Sequence, residues 1–462
     1  MHGDILKKAY FSPLFPSKQR NRLPNHQCKR YISLAVSVAA FYDKSKKAKI
    51  SIKTSEFKEN RMSTKKLLPA RTVVDIDGLI AIADRAEATL VRLRDDLLAP
   101  WPRKTAPMIT GTRLAQLCGI ERTQLNHLCT KGTIPPGVIK GNGRSRVFTL
   151  SEARAIVQQI GPVKRRPAGS PGIVICVGNF KGGVGKTTAT VAAAQGFSLL
   201  GHSVCLVDLD PQASTTTLMG YVPDAEISEE MTVMPVVYGD ELDLSYAAVP
   251  SYWDGIDLIP SSPALFGADY FLPNKQAADP QFEFWKVLDT AMAPIREKYD
   301  IVIIDTPPTL SYLALASFMA ADGMIIPLPP ETLDYASSTQ FFRQFAELFS
   351  SVRDSRSVTK QFEFIKIVLS KVKPSVTMTD VVRSWIKQTY PELLATSEIP
   401  DTDLVKNAYA EFKTIYDLET YDGSVRTYQR AIDAFNDVVA EIEQAVQTAW
   451  AYREAEETSH DQ

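Results

Sequence analysis

Residues 179–188 read NFKGGVGKTT. An apolar run, "ICVGNF", leads into this glycine-rich turn, and a small-residue stretch, "KTTATVAAAQGFSLLG", leads out of it and closes at Gly201. Strand, glycine loop and helix in that order make a phosphate cradle. Amide N–H groups at the helix N-terminus face an anion, and the glycines let the backbone approach it. The candidate nucleotide-binding residues are Lys181, Gly182, Gly183, Val184, Gly185, Lys186, Thr187 and Thr188. Lys186 is placed for the β- and γ-phosphates and the Thr187 hydroxyl for Mg2+. The strict pattern G-x-x-x-x-G-K-[ST] asks for glycine at 180. This chain has Phe180 there, followed by an additional lysine, Lys181. Lys186 alone suffices for the ordinary cradle, so Lys181 is surplus inside one subunit.

The segments beyond the loop fit an α/β fold. "GIVICVGNF", "HSVCLVDLD", "YDIVIIDTPP", "GMIIPLPP" and "FEFIKIVLSKV" are short runs rich in Val and Ile, with helical patterns between them. That is the texture of buried parallel strands joined by crossover helices. Two of these strands end in carboxylates: Asp208 and Asp210 on one, Asp305 on another. Carboxylates at the C-terminal edge of such a sheet lie beside the ligand crevice. One of Asp208 and Asp210 can orient an attacking water while the other supports the metal shell, and Asp305 stands where a P-loop enzyme's Mg2+-holding Asp stands. A last helix carries Ile432, Phe435, Val439, Ile442 and Val446 on one face.

The front of the chain differs. Net charge is −1, yet residues 1–66 hold 16 Lys/Arg against 4 Asp/Glu, and residues 101–170 hold 12 against 2. A basic front half on a neutral chain points to an anionic partner, nucleic acid first. Residues 1–66 lack periodicity and are expected to be a disordered basic extension; Met62 could itself be a start. Within 67–102, the apolar residues Leu79, Ile82, Ala86, Leu90, Leu93 and Leu97 stripe one helix. That helix would pack on its own domain or on a second subunit. Residues 103–163 read as a winged helix-turn-helix domain. Leu114, Leu117, Ile120, Leu125 and Leu128 make its core and Gly119 its turn. Arg122, Thr123, Asn126 and Lys131 would face a DNA major groove, with Lys140, Arg144 and Arg146 flanking a "GNG" wing. Residues 164–172 are a Pro-, Gly- and Ser-containing linker, and 173–462 the nucleotide domain. Five cysteines without a C-x-x-C pair argue against zinc, an iron–sulfur cluster or a disulfide framework and point to a reducing cytoplasm. No apolar run is long enough to span a bilayer.

"NFKGGVGKTT", "LVDLDPQAS" and "DTPPTLSYLALASFMAADGMIIP" together resemble the ParA family of partition ATPases, in the larger subtype with an N-terminal helix-turn-helix. The resemblance covers roughly residues 108–440. It implies a P-loop NTPase fold with ATP and Mg2+ as cofactors, weak ATP hydrolysis and an ATP-bound homodimer. It also implies a ParB-type partner, sequence-independent DNA binding and repression of the protein's own operon. It makes Lys181 the lysine that crosses the dimer interface, Asp210 an aid to hydrolysis, and the stretch after Asp305 a switch. A lysine held outside its own cradle is free to contact a neighbour's phosphates, and its strongly hydrated charge argues against burial in its own core. The implied second DNA surface has Lys371, Lys373, Arg383, Lys387, Lys406 and Lys413 as candidates. A nucleotide-regulated repressor is the competing class. A membrane-bound division ATPase would need a basic amphipathic tail in place of "EAEETSHDQ", and an electron carrier would need cluster cysteines where Cys176 and Cys205 lie inside apolar strands.

Overall fold

The computed structural model describes residues 74–97, 104–140, 145–373, 377–418 and 425–460. The extension at 1–66 and Arg144 of the wing therefore lie outside the described residues. The chain divides into two units at residues 94 and 95. In the first, helix α1 (Ile76–Leu97) forms where the apolar stripe predicts it. The Gly78 N–H donates to the Asp75 carboxylate at 2.8 Å, which caps its first turn.

The second unit opens with strand β1 (Ile109–Thr110), helix α2 (Gly111–Leu117) and helix α3 (Arg122–Lys131). Gly119, at φ +65°, turns the chain between the two helices. Leu114 and Leu125 are fully buried, with Leu117, Ile120 and Leu128 packed beside them. Strands β2 (Val138–Lys140) and β3 (Ser145–Phe148) pair antiparallel, and β1 adds to the other edge of β3. Helix α4 (Leu150–Ile160) starts with a capping box, in which Thr149 accepts from the Glu152 N–H and Glu152 accepts from the Thr149 N–H.

The large sheet follows: β4 (Ile173–Val177), helix α5 (Lys186–Leu199), β5 (Val204–Asp208), helix α6 (Ser214–Leu218), β6 (Val249–Pro250), β7 (Ile256–Ile259), β8 (Ile301–Asp305), helix α7 (Tyr312–Ala320), β9 (Gly323–Leu328), helix α8 (Thr332–Arg356), β10 (Phe364–Val372) and β11 (Leu394–Pro400). Helix α9 (Val425–His460) ends the described chain. Strand order is β11-β10-β9-β4-β8-β5-β7-β6, parallel throughout except for β6 against β7. The five predicted strands are all present. β4, β5 and β8 are buried along their whole length, so they read as continuous apolar runs rather than alternating ones. α9 buries Ile432, Phe435, Val439, Ile442 and Val446 as predicted. Among the described residues, no helix is long and apolar enough to cross a membrane.

The expected separation of residues 103–163 from the nucleotide domain is not what the structure shows. Ile156 and Val157 of α4 share one core with Phe197 of α5 and with Trp253. Arg154 reaches across: Nε donates to the Ser198 carbonyl at 3.0 Å, Nη2 to the His202 carbonyl at 2.8 Å and Nη1 to Asp254 at 2.7 Å. Its guanidinium seats on Gly255, where an added Cβ would fall 2.0 Å from Cζ. The 164–172 segment is pinned as well. Arg165 donates to the Val157 and Leu200 carbonyls, and Arg166 to those of Arg296 and Glu297. Its Pro and Gly content suggests a free linker, but its two arginines have the reach and the donors to fix it.

The Asp254 side chain is 45% exposed, so its ion pair adds little, and the two backbone carbonyls carry the clamp. Arg154→Met should therefore destabilise the protein by about 2–4 kcal/mol, because it leaves those carbonyls unpaired. Urea unfolding with an unchanged midpoint would show that the clamp is not needed.

Candidate nucleotide-binding site

β4, β8 and β5 end level with one another. Val177 stands opposite Asp305 in one ladder and Asp208 opposite Asp305 in the next. The glycine loop leaves β4 at this edge. Gly183 and Gly185 take φ +74° and +99°, which a residue with a Cβ adopts only with strain, and Gly185 caps α5. Phe180, where the strict pattern has glycine, anchors the loop's entry; its ring centroid lies 4.6 Å from that of Phe341 and 6.1 Å from that of Phe318. Asn179 is buried, donates to the Pro327 carbonyl and accepts from the Lys181 N–H.

Lys186 lies in the cradle and its ammonium donates to the Lys181 carbonyl at 3.1 Å. Burial lowers its pKa, against the pull of Asp305 and Asp210. Asp305 is almost fully buried. Its Oδ2 accepts from Thr187 Oγ1 at 2.8 Å and Thr215 Oγ1 at 2.7 Å, and its Oδ1 from Thr190 Oγ1 at 3.2 Å. Asp208 accepts from the Asp210 N–H and, through Oδ2, from both the N–H and the hydroxyl of Thr216. Burial pushes the Asp305 carboxyl up to about 6, and burial together with the Asp305 charge pushes Asp208 well above its ordinary range. Asp210 is half-buried and accepts from the Gln212 N–H at 3.0 Å. The more open carboxylate, nearer to water, is thus Asp210. Oxygen donors from Thr187 and Asp305 suit a hard cation such as Mg2+. Among the described residues no group of three His, Cys, Asp or Glu side chains could hold a metal, so phosphate and water oxygens would have to complete that shell.

The motif residues Lys186, Thr187, Asp208, Asp210 and Asp305 are brought together. Thr188, next in the helix, is half-buried and lies beside Tyr409. Lys181 has an anionic partner in its own subunit, since its Nζ lies 2.8 Å from Asp334 Oδ1 at the start of α8. Motif matching does not point to Asp334, Thr190, Thr215 or Thr216. "STTTL" after "DPQA" is the one local signal for the last two. Cys176 and Cys205 are buried in β4 and β5 with thiol pKa values raised by burial, unlike cluster ligands.

On the basic segment, Arg122, Thr123 and Lys131 lie exposed on α3, Asn126 is half-buried, and Lys140 is exposed at the end of β2. Arg146 is half-buried and its guanidinium donates to the Pro136 carbonyl, so it braces the hairpin as well as facing outward. Of the second surface, Lys373, Arg383, Lys406 and Lys413 pair with Glu331, Asp380, Asp401 and Glu411. Lys371 instead reaches the phosphate loop.

Residues 172–358 match a family model described as an AAA domain. A Sinorhizobium fredii (strain NGR234) protein named for replication protein A is 28% identical over 397 residues, spanning 83% of this chain and 97% of the relative. Protein SopA of Escherichia coli strain K12 is 28% identical over 378 residues, spanning 79% of this chain and 94% of the relative. Both spans are longer than residues 173–462 alone, so the likeness extends into the helical front segment. A solved structure titled "Partition Protein" superimposes with a TM-score of 0.52 at 18% identity, covering 79% of this chain and 98% of that one, and shares the fold.

Burial of two neighbouring carboxylates costs stability wherever both are ionised. A raised folded-state pKa means that the native state binds the proton more tightly than the unfolded chain. For Asp305 the penalty is therefore complete above about pH 6 and fades as pH falls from there toward the ordinary carboxyl value near 3.8. Asp305→Asn keeps an acceptor and removes the charge. In nucleotide-free, metal-free buffer its melting temperature should exceed the wild type's at pH 7.5, with the gap closing by about pH 4. A gap that is absent or independent of pH would contradict this account.

Proposed function

We propose that this chain, a relative of the ParA-type partition ATPases, is an ATP-switched DNA-segregation protein. ATP closes a homodimer that binds DNA without regard to sequence, and a ParB-type partner bound at a centromere-like site triggers hydrolysis and release. The observation that carries this reading is the convergence of Lys186, Thr187, Asp210 and Asp305 at one sheet edge, with a second lysine, Lys181, outside the cradle. Thr187 and Asp305 would hold Mg2+, which neutralises phosphate charge when bound. The loop amides and Lys186 bind the phosphates. Asp210 accepts a hydrogen bond from the attacking water and orients it toward the γ-phosphorus. Lys181 leaves Asp334 and reaches the partner subunit's nucleotide. That move strips a buried carboxylate of its cation, so closure is favoured only when phosphate offers the lysine a better anion.

The exposed α3 residues Arg122, Thr123 and Lys131, with Asn126, Lys140, Arg144 and Arg146, would read or grip an operator, giving autorepression as a second activity. The basic segment shares its core with α5, which starts at the phosphate loop, and this supports nucleotide-dependent operator binding. Such a protein would act in the cytoplasm, on the nucleoid.

Lys186→Ala should abolish productive ATP binding, seen by calorimetry and turnover. Asp210→Ala should bind ATP, dimerise and fail to hydrolyse. Lys181→Ala should bind nucleotide but neither dimerise nor turn over; a cation supplied in trans is worth roughly 10³–10⁵ in rate in GTPases, and a slow ATPase should show the lower end. Mixing Lys181→Ala with Asp210→Ala creates one site with an intact Asp210 and a Lys181 from the other subunit, so part of the activity should return. A mixture that stays inactive although mixed dimers form excludes the trans role. Wild-type ATP-dependent binding to unrelated DNA separates segregation from simple repression, which needs only the operator.

A further inference from the structure

Two consecutive residues at the end of β10 donate into the phosphate loop. The buried Ser370 hydroxyl donates to the Val184 carbonyl at 2.8 Å, and the Lys371 ammonium donates to the Gly183 carbonyl at 2.5 Å. In a regular strand consecutive side chains leave on opposite faces. Here the ladder is irregular. Leu369 stands opposite Glu398 and Val372 opposite Pro400, so β10 advances one residue more than β11 across this step. Lys371 absorbs the extra residue with φ +52°, the left-handed region that a lysine enters only under strain. The bulge brings both donors to one loop.

A trans peptide points its C=O and N–H in opposite directions. Tying the Gly183 and Val184 carbonyls to β10 therefore turns the N–H groups of Val184 and Gly185 away from β10, toward the mouth of the cradle. Those are amides that a β-phosphate needs. The loop carries two positive-φ glycines and has little conformational preference of its own at Gly183 and Gly185, so its orientation must be imposed from outside.

We infer that Ser370 and Lys371 are positioning residues of the nucleotide site, aiming loop amides at the phosphates of a bound nucleoside diphosphate or triphosphate. This rests on the nucleotide reading of the loop, and it gives Lys371 a task other than contacting DNA.

The test is ADP affinity of the full chain with Mg2+, by calorimetry, alongside the melting temperature without ligand. Ser370→Ala and Lys371→Met should each weaken ADP binding about tenfold, the worth of roughly one misdirected hydrogen bond. Ser370→Thr and Lys371→Arg, which keep a donor, should restore most of that loss. Lys371→Gly removes donor and strain together, so it should bind ADP as weakly as Lys371→Met while melting higher than it. Wild-type ADP affinity in both Ser370→Ala and Lys371→Met would overturn the inference. So would a loss that the donor-keeping variants fail to restore, or a Lys371→Met variant impaired only in binding unrelated DNA. Lys186→Ala is the control that separates the two levels: if it too keeps wild-type ADP affinity, the nucleotide reading itself falls, whereas its loss of binding beside unaffected Ser370 and Lys371 variants sinks only this proposal.

Discussion

The structure is organised around two carboxylates that would repel each other if both were ionised. Asp208 and Asp305 sit in register on neighbouring strands, both buried. A charged group in such a place is tolerable only when its oxygens are fully used. The hydroxyls of Thr187, Thr190, Thr215 and Thr216 serve that purpose. They come from α5 and α6, so the two helices that flank the crevice are tied to the strand ends through the carboxylates. A divalent cation and its phosphates would relieve the repulsion and compete for the same hydroxyls.

The phosphate loop is held in a similar way, by groups outside it. Phe180 packs into the aromatic cluster of α7 and α8, Asn179 fixes the loop's entry, and Ser370 and Lys371 hold its middle. Lys181 is parked on Asp334. A glycine-rich segment gains direction only from such neighbours, because its own backbone permits too many conformations. The basic helical segment is joined to the same machinery. Lys104 donates to the Leu218 carbonyl at the end of α6 and to Asp417, and Asp417 accepts from Tyr252, whose hydroxyl accepts from Gln195 of α5. The segment that precedes the sheet is thus tied by hydrogen bonds to both helices.

Much of this was legible in the chain. The five Val- and Ile-rich runs are strands because burial on both faces demands continuous apolar residues. The glycine loop carried its own chemistry. Strands β6, β7 and β11 were not legible. "VP" and "IDLI" are too short to show a period, and "LATSEIP" mixes polar residues into an edge strand that is covered on one side by α9. The joining of residues 103–163 to the nucleotide domain is not legible either, because Pro, Gly and Ser at 164–172 read as a free linker, while Arg154 crosses that boundary in three dimensions.

Sequence alone determined the class of fold, the order strand–loop–helix and the identities of Lys186, Thr187, Asp208, Asp210 and Asp305, since these lie in contiguous motifs where local spacing fixes geometry. Tertiary structure alone decided which distant residues serve them. Asp334 lies far along the chain from Lys181, and Ser370 and Lys371 lie still farther from Gly183 and Val184; only the parallel sheet, with β9 and β10 laid beside β4, sets them within hydrogen-bonding distance. A hydrogen bond is specified by position in space. Residues from separate strands acquire a common position only when the chain has folded.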